Sequence, residues 1–252
     1  MTTADGFPSD DVSLTILDLG LFEVHDDGRL IGIPAYLIRS GPALLLVDTG
    51  FPAAYAHDPA AAGRSDGLDA FGVIRALDAT QTLVAQLARC AVAPAMITHL
   101  VLTHSHIDHV GGLHAFPGAT LVLDRAERAA PRPLYWGDRR PLAWPDQPQH
   151  LIDADTRIAP GVTLLRTPGH TPGHLSLLIE ARDGRSVVLA ADAISRPHEL
   201  TEDRFAGAWD PALARASARR LVALAAERRA TLIYGHDPAQ WPSLPKAPAR
   251  VL

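Results

Sequence analysis

The 252-residue chain has a single cysteine, Cys90, so no internal disulfide can form and no oxidising compartment is required. Long apolar runs are missing too. No stretch approaches the ~20 residues that a membrane-spanning helix needs, and no membrane partner is expected. Cationic clusters are absent: Lys+Arg total 23 against 28 Asp+Glu, the formal net charge is −5, and lysine is nearly absent. Phosphate backbones attract basic surfaces, so a nucleic-acid partner is not expected either. Met1 to Pro8 carry neither the basic stretch nor the apolar core of a secretory signal, which makes a cytoplasmic location the expectation.

What is present is an ordinary globular composition, 47% hydrophobic and 20% charged, long enough to bury a sizeable core. Short apolar runs bounded by Gly, Pro or Asp read as strands: 12–19, 35–38, 43–47, 96–102, 119–123, 162–165, 175–179, 187–191 and 232–234. Residues 81–91 place Leu83, Val84, Leu87 and Ala91 on one helical face. Asp210-Pro211 supplies an N-cap and a first-turn proline for a second helix through about Arg228. Strand groups separated by helices, without internal repeat or polar linker, predict one layered α/β domain over residues 1–252. Two long connections, 51–80 and 129–149, are expected to be active-site loops. The second holds Tyr135, Trp136 and Trp144; these and Phe51 are candidate walls of a substrate pocket, or packing residues of an ordered loop.

The chemistry gathers at strand ends. After the run 96–102 the chain reads Thr103-His104-Ser105-His106-Ile107-Asp108-His109-Val110-Gly111-Gly112. Three imidazoles and a carboxylate within six residues make a donor set for zinc and similar ions. Alternation along an extended segment points His104 and His106 the same way, and a turn into a helix brings Asp108 and His109 to a second position nearby. His170, Asp192 and His236 follow other strands. With the first run they give seven groups, enough for two metals if one carboxylate bridges both. His174 is read as support for the His170 loop, behind the ligands or as plain structure. His99 is read as core, and His25, His57, His114 and His150 as surface.

The run His104-x-His106-x-Asp108-His109, with the later His170, Asp192 and His236, resembles the metallo-β-lactamase superfamily over roughly residues 33–238. So does Leu46-Val47-Asp48-Thr49-Gly50, where Asp48 would support the site from behind. The resemblance implies an αββα sandwich with two divalent metal ions at one edge. His104, His106 and His170 would hold one ion, Asp108, His109 and His236 the other, and Asp192 would bridge. Zinc is the expected metal, with cobalt, manganese or iron as alternatives.

Within the superfamily, dinuclear β-lactamases usually carry a cysteine where this chain has Asp192. Glyoxalase II enzymes need a C-terminal helical domain for which the 16 residues after His236 are too few. Gly32 to Ile38, Phe205 to Pro211 and Tyr234 to Asp237 look instead like the N-acyl homoserine lactonases. That resemblance implies a small lactone substrate, quorum quenching and a homodimer. It departs at Ser195, where that group commonly has a tyrosine placed on the lactone carbonyl. Ser195, His198 or Tyr135 takes over, or the substrate differs. Two ions ~3.5–4 Å apart would share a water whose pKa falls towards ~7 and which attacks the ester carbonyl. Asp108 would then pass a proton to the leaving ring oxygen, and no nucleophilic serine is required. Alternative readings are another lactone, such as 4-pyridoxolactone, an organophosphate triester, or a non-catalytic metal-binding member.

Overall fold

The structure is a computed structural model that describes residues 11–131 and 143–252. Twelve strands among them form two sheets. In chain order they are β1 (Val12–Val24), β2 (Leu30–Ser40), β3 (Ala43–Val47), β4 (Gly72–Ala76), β5 (His99–Val101) and β6 (Thr120–Asp124). Then follow β7 (Gln149–Ile152), β8 (Thr156–Ala159), β9 (Val162–Arg166), β10 (Leu175–Glu180), β11 (Ser186–Leu189) and β12 (Thr231–Ile233). The first sheet runs β4-β1-β2-β3-β5-β6-β7 and the second β12-β11-β10-β9-β8. The helices are α1 (Ala54–His57), α2 (Pro59–Asp66), α3 (Leu83–Arg89), α4 (Ile107–Val110), α5 (Arg125–Ala129), α6 (His198–Thr201) and α7 (Pro211–Arg228).

Side-chain alternation sorts the strands into three apolar layers. Leu45, Val47, Val101 and Val122 of the first sheet meet Leu164, Leu177, Ile179, Val187 and Leu189 of the second. Their sequence neighbours Leu44, Leu46, Leu100, Leu121 and Leu123 face outward and are covered by Leu87 of α3. On the far side, Leu165, Leu178 and Val188 pack under Ala214, Ala218, Leu221 and Ala225 of α7. Central strands buried on both faces read as unbroken apolar runs, which is why they were visible in the sequence. The order of layers is helix, sheet, sheet, helix: an α/β, αββα sandwich.

Three strands (β4, β7 and β8) and four helices (α1, α2, α5 and α6) escaped the sequence reading. Residues 51–80 are not one long loop: they contain α1, α2 and β4. β4 pairs with the far end of β1, which runs past a bulge at Asp18/Leu21 where Gly20 takes a φ of 107°. β7 and β8 are also sheet edges, exposed on much of their length and so without apolar alternation. The strand expected over 96–102 shortens to three residues behind a 3₁₀ turn at Pro94–Met96. α7 begins and ends as expected, with Asp210 accepting the N–H groups of Ala212 and Leu213. Gly63-Arg64-Ser65-Asp66-Gly67 spells a Gly-x-Ser-x-Gly pattern, but Ser65 is exposed within α2. It has none of the strand-to-helix turn that makes such a serine a nucleophile.

β3, β5 and β6 are parallel, as are β11 and β12, so their carboxyl ends fall in register within each sheet. Asp48 follows β3, His104 follows β5, Asp192 follows β11 and His236 follows β12. Four chemically active segments are thus delivered to one edge of the sandwich.

Candidate metal centre

Asp48 and Ala191 both take left-handed backbone (φ 60° and 45°), which disfavours a side chain by about 1–2 kcal/mol. Each sits at the exit of a strand and turns the chain sharply across the sheet edge. Ala191 opens the 3₁₀ turn Ala191–Ile194, so Asp192 follows β11 by a turn instead of ending the strand. Gly235 lets His236 in beside it, since a Cβ there would lie 2.5 Å from the Ala191 carbonyl oxygen.

Seven side chains converge in two groups, His104, His106, His170 and Asp192 in one and Asp108, His109 and His236 in the other. In the first, His106 Nδ1 lies 3.0 Å from both His104 Nε2 and His170 Nε2. In the second, Asp108 Oδ2 is 3.5 Å from His109 Nε2 and from His236 Nε2. The carboxylate of Asp192 is divided between them. Its Oδ2 faces His170 Nε2 at 3.4 Å and His104 Nε2 at 3.9 Å. Its Oδ1 faces His236 Nε2 at 3.2 Å and His109 Nε2 at 3.7 Å.

Does this set fit metal ions? His109 Nε2 and Asp192 Oδ1 are shut away from solvent without a hydrogen-bond partner, an expensive arrangement unless a cation lies between them. Burial, reinforced by the neighbouring rings, pushes His104 and His106 well below the usual histidine range and leaves them neutral. Neutral imidazole is the form that ligates. Burial opposes a charge on His109 as well, but the carboxylates of Asp108, Asp48 and Asp192 outweigh it and lift the ring to about 10. Burial is likewise overcome at His236, raised to about 9 by Asp192 and Asp108. The field that holds a proton there would hold a divalent cation in its place, so the residues fit.

Outer contacts aim the rings. Asp48 Oδ2 is 2.8 Å from His109 Nδ1, and the Gly32 carbonyl oxygen is 3.0 Å from His236 Nδ1. Both leave Nε2 pointing to the centre. Asp48 also accepts the N–H and hydroxyl of Thr103 at 2.8 and 2.7 Å. Asp48→Asn places an NH2 against one of these donors, and metal affinity is expected to fall about 10–100-fold, read by competition with a chromophoric chelator.

A pocket of about 330 Å³ opens over both groups, lined by His106, Asp108, His170, Asp192, Ser195 and His236 with apolar walls from Ile31, Phe71, Phe205 and Ala208. The metallo-beta-lactamase superfamily model matches residues 28–236. The chain belongs to that superfamily. As a superfamily member with these two ligand groups it is a metal-dependent hydrolase. It is 34% identical over 217 residues to an N-acyl homoserine lactonase of Bacillus cereus, covering 83% of this chain and 84% of that one. It is 29% identical over 231 residues to the N-acyl homoserine lactonase AttM of Rhizobium radiobacter, covering 86% of each. Among solved structures it resembles an N-acyl homoserine lactone hydrolase with the product N-hexanoyl-L-homoserine bound at its catalytic metal centre. That likeness has a TM-score of 0.81 and 27% identity over 100% of both chains.

Other residues singled out in the sequence are dispersed. His198 opens α6 and is not among the pocket-lining residues. Phe51 is stacked between Phe22 and Tyr55 in the outer core of the first sheet. Trp144 packs on the same cluster with the Arg128 guanidinium 4.9 Å above its ring. Neither lines the pocket; each aromatic is consumed by apolar packing. Tyr135 and Trp136 lie outside the described residues. His99 is half-buried, not core, because it is the first residue of β5, next to the exposed Thr98, while His25, His57, His114 and His150 are exposed.

Several pocket residues went unnoticed in the sequence, Arg29, Arg196 and Glu199 among them. Arg29 and Arg196 share Asp27, at 2.7 and 3.3 Å, and tie the β1–β2 turn to the segment after Asp192. Glu199 accepts the Ser195 N–H at 2.8 Å. Charged residues at turns usually mean only solvation, and the contact that joins Arg196 to Asp27 spans 169 residues of chain.

Proposed function

We propose that this chain opens the lactone ring of N-acyl homoserine lactones, using two divalent ions, zinc by preference, held by His104, His106 and His170 on one side and Asp108, His109 and His236 on the other, with Asp192 between. The observation that carries the reading is a donor set for two ions in a pocket whose wall combines apolar Ile31, Phe71, Phe205 and Ala208 with polar Ser195, Arg29, Arg196 and Glu199. That combination suits a substrate with a polar ring and an aliphatic tail. The curated relatives share the length and the named activity. A cytoplasmic homodimer is part of the proposal, on the strength of the lactonase resemblance alone.

When bound, the ions would supply Lewis acidity and a water acidic enough to attack at neutral pH. The chain's own groups do the rest. Asp108 lines the pocket, and its carboxylate would take the proton given up by the attacking water and pass it to the departing ring oxygen. Ser195 also lines the pocket, and its backbone is already committed: the N–H to Glu199 and the carbonyl to the His236 N–H. Its hydroxyl is therefore the group proposed to donate to the substrate carbonyl where relatives use tyrosine. His198, off the pocket lining, is the weaker candidate.

A pH-indicator assay on short- and long-chain N-acyl homoserine lactones, beside an aryl phosphotriester, tests the reading. Acid release from the lactones is expected, lost with chelator and restored by zinc. Metal-loaded protein that hydrolyses only the phosphotriester, or nothing, would sink it.

A further inference from the structure

His174 lies among the metal-site histidines, its ring 5.1 Å from that of His104 and 5.8 Å from that of His170, and it is completely buried. It is not in either group of converging ligand atoms. Its hydrogen bonds say what it does instead. The backbone N–H of Asp192 donates to His174 Nε2 at 3.1 Å. His174 Nδ1 lies 2.9 Å from Thr167 Oγ1, Thr167 Oγ1 lies 2.9 Å from Ser176 Oγ, and Ser176 Oγ donates to the Ala190 carbonyl oxygen at 2.8 Å.

Only one arrangement of protons satisfies this chain. A carbonyl oxygen can only accept, so the Ser176 hydroxyl donates to Ala190 and its oxygen receives the Thr167 hydroxyl. Thr167 Oγ1 then accepts from His174, which puts the proton on Nδ1 and leaves the Nε2 lone pair for Asp192. Thr167 and Ser176 are completely buried, so no water competes for these bonds. Both ends of the chain grip the same short segment, Ala190 at one side and Asp192 at the other, across the left-handed Ala191.

We propose that His174 is a positioning residue for Asp192: a neutral Nδ1–H imidazole, locked in that tautomer by Thr167 and Ser176, whose Nε2 accepts the Asp192 N–H and so sets the carboxylate between the two metal groups. It rests on the two-ion reading only for its consequence, since the tautomer is a property of the protein fold. Losing the bond frees the turn at Ala191 and unbalances the division of Oδ1 and Oδ2, so the ion held less firmly suffers most.

The test has two arms. Nitrogen-15 NMR of histidine-labelled wild type, with and without zinc, should show His174 as the Nδ1–H tautomer in both; an Nε2–H tautomer or a metal-bound signature overturns the proposal. Zinc titration of metal-free protein should show His174→Leu binding the second equivalent about 10–100-fold more weakly, with His174→Gln within about threefold of wild type. The glutamine supplies an acceptor to Asp192 and a donor to Thr167. Should H174L not fold, Thr167→Val takes its place, with a weakened second equivalent expected. Wild-type affinity in H174L or T167V, or H174Q as weak as they are, overturns the proposal. If wild type itself takes fewer than two equivalents, the two-ion reading is what falls, and the tautomer alone decides the role of His174.

Discussion

Replacing Asp192 by asparagine is expected to lower lactone turnover about a thousandfold and to drop the bound metal below two equivalents per chain. The carboxylate offers one oxygen to His104 and His170 and the other to His109 and His236. Asparagine has a single oxygen. Whichever way the amide turns, one group loses its anionic donor and meets an NH2 in its place. The two ions together supply several kcal/mol of transition-state stabilisation, and about 4 kcal/mol corresponds to that thousandfold. The histidines stay, and the turn keeps its bonds from His174 and Ser176, so the fold should survive. Initial rates on one lactone, metal content and circular dichroism on the same sample separate these effects. Full activity with two ions bound in the variant would mean that Asp192 bridges nothing.

How much of this was legible beforehand depended on distance along the chain. His104 to His109 lie within six residues, and their spacing alone carried the case for a metal. His170, Asp192 and His236 stood out because each follows an apolar strand; β11 and β12 pair in parallel, and β9 runs in the same direction as β11 across β10, so their ends meet at one edge. The central strands were readable because burial on both faces makes them uniformly apolar. Edge strands β4, β7 and β8 were not, since half-exposed positions tolerate Arg75, Gln149, His150 and Arg157. The aromatics misled for a related reason. Phe51 follows the Asp48 turn and looks poised over the site, yet an aromatic next to a core strand gains more from stacking on Phe22 and Tyr55 than from exposure in a pocket. The sequence reading set His170 among the ligands and His174 as support for its loop or plain structure, but could not show what His174 holds. His170 and His174 share one Thr-Pro-Gly-His motif repeat, and the second is set apart by its place outside both ligand groups and by the Asp192 N–H at its Nε2.

Glu127→Ala is expected to destabilise the fold by roughly 3–5 kcal/mol, although no ligand is touched. In the sequence Glu127 sits between Arg125 and Arg128 and is not among the candidate site residues. In the structure it is 1% exposed. Its Oε1 accepts the N–H of Ser105 at 2.8 Å and the Ser105 hydroxyl at 2.6 Å, and its Oε2 accepts the Gly173 N–H at 3.1 Å. Gly173 is glycine because a Cβ there would lie 2.2 Å from the Glu127 nitrogen. One carboxylate thus clamps the loop bearing His104 and His106 to the loop bearing His170 and His174. Truncation strands three buried donors, each costing about 1–3 kcal/mol. For a chain of this size the melting temperature should fall by roughly 8–15 °C. Glu127→Gln keeps an acceptor for Ser105 but turns an NH2 toward Gly173, so its loss should be smaller, about 1–3 kcal/mol. Calorimetry of both variants in metal-free buffer isolates the clamp from ligand binding. A melting point unchanged in Glu127→Ala would show that the two metal-bearing loops are held without it, and that the site's rigidity comes from the strands alone.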